Sequence, residues 1–76
     1  MNKAPQATPA QQFVAFLLSD LDGMFEEARF NTEADAHAYV AEHHAEAQYH
    51  GYEMGVLPAE GFEEHAQMVT EELTGY

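Results

Sequence analysis

The chain has no cysteine, no tryptophan and no isoleucine, and only Lys3 and Arg29 among its 76 residues carry a fixed positive charge. Without cysteine there are no disulfides, no thiolate metal ligands and no thiol nucleophile. A small secreted domain ordinarily needs disulfides or a metal to support its core, so the cytoplasm is the expected location. With no isoleucine and only four valines, β-branched content is low for a sheet-dominated fold. No apolar run approaches the roughly 18 residues of a membrane span. The N-terminus MNKAPQATPAQQ has one lysine and no apolar core, so a signal peptide is not expected. The shortage of cations leaves fourteen Asp and Glu against two Lys and Arg, a net charge of −12. Such a chain repels nucleic acid and anionic membranes and attracts basic partners.

Acidic chains are often disordered because they lack apolar residues. This one is 46% hydrophobic with nine aromatics, enough for a folded core. Its length bounds it to one domain. Residues 1–7 read as a flexible tail, with Pro5 and no hydrophobic periodicity, and residues 8–76 as a single helical domain.

Three helices are expected. Thr8, Pro9, Ala10 and Gln11 fit a capping box with proline at the first helical position. Phe13, Val14, Leu17, Leu18 and Leu21 then share one helical face, and Met24, Phe25 and Ala28 continue it. That phase match favours one helix over residues 9–30, with Gly23 on its polar side. The alternative is a C-terminal cap at Gly23 followed by a short second helix. The second expected helix covers residues 32–50, TEADAHAYVAEHHAEAQYH, the longest run without Gly or Pro. Alanine, the best helix former, recurs through it, Thr32 is a good N-cap, and Gly51 suits a left-handed C-terminal cap. Ala34, Ala38, Ala41, Ala45 and Tyr49 fall in one arc and read as its packing face. Residues 51–57 read as a connector holding at most one extended segment, in which Tyr52, Met54 and Val56 alternate. Pro58 opens the last helix, over residues 58–74, with Phe62, Ala66, Val69 and Leu73 as its apolar stripe. The expected fold class is therefore all-α, a small three-helix bundle.

Two acidic ridges are the main functional feature. Asp35, Glu42 and Glu46 lie together on the second expected helix, edged by Tyr39 and Tyr49, and Glu60, Glu64 and Glu71 lie together on the third. A compact chain of this length is roughly 30 Å across, over which duplex DNA carries roughly 17 phosphates. Fourteen carboxylates are of the same order. The same pattern also describes ordinary solvated helix faces.

A second candidate is a metal site. His43, Glu46 and His50 share a helix face through spacings of three and four, with His65 as a fourth ligand. His44, Ala45 and Glu46 match the H-x-E of zinc deaminases, but that chemistry needs cysteine ligands. Asp20, Leu21, Asp22 and Gly23 hint at a calcium loop; aligned on the glycine, Leu18 and Arg29 occupy the first and last ligand positions, which excludes an EF-hand. Ser19 and the threonines sit in no recognisable nucleophile motif. No catalysis and no cofactor are expected. A third candidate is an apolar docking edge made by Phe16, Phe30, Tyr39 and Tyr52, aromatics being enriched at interface anchors.

In size, charge, absence of cysteine and Ala/Glu-rich helical makeup, the chain resembles the small acidic anti-defence proteins of phages and mobile elements. These are the anti-CRISPR and anti-restriction proteins, several of which act as DNA mimics. The resemblance includes no diagnostic residues. It implies a stoichiometric inhibitor, monomeric or homodimeric, that occupies the DNA-binding surface of a basic nucleic-acid-binding complex.

Overall fold

The computed structural model describes residues 12–75. The expected tail over residues 1–7 and the capping box over 8–11 lie outside them. The chain runs β1 (Phe13–Ser19), β2 (Gly23–Phe30), α1 (Glu33–Tyr49), β3 (Glu53–Pro58) and α2 (Phe62–Thr74). The strands form one antiparallel sheet in the order β2-β1-β3. The fold is α+β rather than the expected three-helix bundle. The segment read as a first helix is a β-hairpin, and Gly23 is neither inside a helix nor capping one. It opens β2 at φ +79°.

The run FVAFLL at residues 13–18 explains the difference. It has six consecutive apolar side chains and no polar phase, the pattern of a strand covered on both faces. β1 pairs with β2 along one edge and with β3 along the other. Its side chains alternate between two helices. Val14, Phe16 and Leu18 join Met24 and Leu57 on one face, beneath Phe62, Ala66 and Val69 of α2. Ala15 and Leu17 point to the other face, where their partners in β3 are Val56 and Met54 and where α1 lies. The low β-branched content did not prevent this sheet, because strand preference is largely a matter of packing against neighbours. Phe and Leu fill that role between two helices. The reading of residues 51–57 as a connector fails for the same reason: the extended segment has a partner, and that partner is β1.

The β1–β2 connection is closed by Ser19, whose Oγ accepts a hydrogen bond from the Asp22 N–H at 2.9 Å. Directly after it, Gly23 lies against α2. A Cβ at that position would overlap the Thr70 side chain, and the Met24 N–H donates to Thr70 Oγ1 at 3.0 Å. Gly23→Ala therefore forces a left-handed alanine and displaces Thr70. We expect a loss of about 2–4 kcal/mol, read as a shifted urea midpoint with an unchanged slope.

α1 follows its expected course. Thr32 caps it, accepting from the Asp35 N–H at 3.1 Å, and Gly51 follows at φ +91°. Its inward face is not the expected one. Ala36, Tyr39, Val40, His43 and Ala47 are buried or half-buried, whereas Ala34, Ala38, Ala41, Ala45 and Tyr49 are exposed on the opposite side. Burial favours the larger apolar surface, and Tyr39 and Val40 offer more of it than alanine. Tyr39 packs on Phe30, with ring centroids 5.3 Å apart. α2 buries the expected stripe at Phe62 and Ala66. It begins after Gly61, not at Pro58, which closes β3; the Ala59 N–H donates to the Gln12 carbonyl at 2.8 Å.

Candidate functional site

All fourteen Asp and Glu lie among the described residues, and every one is exposed. Arg29 is the only Lys or Arg among those residues, and it is paired with Glu26 at 2.8 Å. That hydrogen bond pushes the Arg29 guanidinium pKa up, with help from the nearby Glu63. The acidic surface is therefore almost uncompensated where the structure describes it.

The fold separates the two ridges. Asp35, Glu42 and Glu46 stand on α1, on one side of the sheet. Glu64 and Glu71 stand on α2, on the other side, and Glu60 lies in the turn before α2. They do not form one contiguous face. Of the expected aromatic edges, Tyr49 is 85% exposed at the end of α1. Tyr39 is turned toward the sheet instead. Its hydroxyl donates to Glu27 Oε2 at 3.1 Å, and its ring stacks on His43 with centroids 4.1 Å apart.

Glu27 belongs to neither acidic ridge, and its position depends on a β-bulge. Ala15 pairs with Ala28 and Phe16 pairs with Glu26, leaving Glu27 as the extra residue of β2. Bulges re-aim side chains in this way, and Glu27 turns toward α1. Beside it, between α1 and the sheet, lies an open groove of about 280 Å³. Leu17, Ala47, Met54 and Tyr52 line it with apolar and aromatic surface, and Glu27 from β2 and Glu46 from α1 add two carboxylates. The Tyr52 ring is held by an edge-on contact with Phe25 and by its hydroxyl, which donates to Asp22.

His43 and His50 also line this groove. Three of the four residues considered as metal ligands thus come near one another, while His65 stands on α2, across the sheet. Among the described residues no group of three or more His, Asp or Glu is placed to hold a metal ion. The expected apolar docking edge is dispersed. Phe16 packs on Phe62 at 6.3 Å, Phe30 on Tyr39, and Tyr52 on Phe25. The large apolar side chains that do reach solvent are elsewhere, Leu21 at the hairpin tip and Met68 on α2 among them. No described helix is long and apolar enough to cross a membrane.

No family model, no curated protein and no solved structure matches the chain.

The two hydrogen-bonded tyrosines give the fold an alkaline limit. Burial, then the bond to Glu27, raises the Tyr39 pKa above 10.0. The bond to Asp22 raises that of Tyr52. A raised folded-state value means the neutral phenol is favoured by folding. The stability it brings is complete below the unfolded value near 10 and is lost as pH rises through the folded value. Denaturant midpoints should therefore fall above about pH 10. The Tyr39→Phe/Tyr52→Phe variant should show a flatter profile there. An identical profile in the variant would remove these tyrosines as the cause.

Proposed function

We propose that this is a non-enzymatic acidic binding protein that inhibits a nucleic-acid-binding complex by occupying its basic DNA-binding surface. The observation that carries this reading is the exposure of all fourteen carboxylates with a single Lys or Arg pairing among the described residues. So many like charges on a small domain cost stability through self-repulsion. Arg and Lys side chains that normally hold phosphates would relieve that repulsion through charge-assisted hydrogen bonds. The ridges on α1 and α2 face away from each other. A basic cleft that grips a duplex from two sides would therefore meet carboxylates on both sides of this protein as well.

The reading is tested by immobilising the protein and capturing partners from a cell lysate at low and high salt, with and without duplex DNA. The expected result is a nucleic-acid-binding complex that is released by salt and displaced by DNA. Electrostatically steered complexes behave in this way. Partners that persist at high salt and ignore DNA would contradict it.

A further inference from the structure

We infer that the groove between α1 and the sheet is a seat for one arginine side chain of a basic partner. This deepens the reading above and rests on it. The groove volume, about 280 Å³, lies just below the range of roughly 300–1,000 Å³ typical of small-molecule pockets. It suits a single long side chain better than a cofactor. Its chemistry is that of an amphipathic cation. Leu17, Met54 and Ala47 offer apolar surface for an aliphatic stem, and Glu27 and Glu46 add two carboxylates to the same lining. Both side chains are exposed, so their charge remains available to a ligand. No Lys or Arg lines the groove.

Arginine fits better than other cations for two reasons. Its planar guanidinium offers five donors, enough for two carboxylates and the two imidazoles, which accept hydrogen bonds when neutral. It also stacks on an aromatic ring, and Tyr52 is part of the lining. The seat is organised in advance. Tyr39 holds Glu27 through its hydroxyl, while Phe25 and Asp22 fix the Tyr52 ring. Little ordering is then required on binding. The β-bulge at Glu27 has a function in this light: it supplies a lining carboxylate that regular pairing would have aimed elsewhere.

The test is a methyl NMR titration of the full chain with N-acetyl-arginine methylamide, using N-acetyl-norleucine methylamide as the uncharged control. The expected result is saturable shifts of the Leu17 and Met54 methyls with the arginine compound and not with the control. Glu27→Gln/Glu46→Gln should weaken binding at least tenfold, and Glu63→Gln/Glu72→Gln, exposed on α2 across the sheet, should leave it unchanged. Unaltered spectra outside the groove would show that the variants remain folded. Non-saturating shifts spread over every carboxylate, equal binding of the norleucine compound, or insensitivity to Glu27→Gln/Glu46→Gln would each overturn the proposal. The broader reading fails separately. It falls if no DNA-displaceable partner is captured even though the groove binds the arginine compound. The groove proposal falls if such a partner is captured while the Leu17 and Met54 methyls stay still.

Discussion

Phe62→Ala should leave the protein largely unfolded at room temperature. Phe62 is 4% exposed, the largest side chain among the buried residues of the cluster that joins Val14, Met24, Ala59 and Ala66. Its ring lies 6.3 Å from that of Phe16. Truncating a buried phenylalanine costs about 3–5 kcal/mol through lost transfer energy and the cavity left behind. A domain of this size has roughly 4–11 kcal/mol in total, and the −12 charge draws on that reserve. With the self-repulsion holding the reserve near the low end of that range, one substitution removes most of the stability. Circular dichroism during urea unfolding would show a midpoint near zero denaturant. Phe62→Leu, which retains much of the apolar volume, should keep the native spectrum with a reduced midpoint. A loss below about 1 kcal/mol for Phe62→Ala would mean that α2 does not pack on the sheet through this residue.

Reversing two charges on α1 should have the opposite profile, with function lost and stability kept. Glu42 and Glu46 are exposed, and Glu42→Lys/Glu46→Lys changes the net charge from −12 by four units, to −8. Surface substitutions of this kind usually move stability by about 0.5 kcal/mol or less, and the reduced self-repulsion acts in their favour. Against a basic partner, each reversal replaces an attraction with a like-charge contact that costs several kcal/mol. Binding should fall by at least about a hundredfold. The melting temperature should stay within a few degrees. Because α1 and α2 lie on opposite sides of the sheet, Glu64→Lys/Glu71→Lys asks a different question. A similar loss would mean that the partner embraces both sides, and an unchanged affinity would confine contact to the α1 side. Normal binding by both double variants would rule out the acidic surface as the interface.

The helices were legible in the sequence because their signals are local. Thr32 and Gly51 mark the ends of α1, and the spacing of Phe62, Ala66 and Val69 marks the buried stripe of α2. The hairpin was not legible from periodicity. Phe13, Val14, Leu17 and Leu18 satisfy a helical face and a doubly covered strand equally well, since a run without polar residues has no phase to break the tie. The deciding information is tertiary: α1 and α2 cover opposite faces of β1, and β3, thirty-odd residues later, supplies its second edge. The packing side of α1 escaped for a related reason. The alanine arc is regular in sequence, but the sheet takes up Tyr39, Val40 and His43 because they bury more. At the candidate site, the exposed carboxylates could be read from composition. Glu27 could not, because its orientation depends on where the β1–β2 register slips. The pairing of Leu17 with Met54, which sets two groove-lining side chains next to each other, is equally invisible without the sheet.

The most direct measurement is the affinity of the captured complex, once purified, for this protein in increasing concentrations of duplex DNA. If the protein occupies a DNA-binding surface, the apparent Kd rises in proportion to DNA concentration, and the protein raises the apparent Kd for DNA reciprocally. An affinity indifferent to saturating DNA would contradict that claim and leave the carboxylates as a solvated surface.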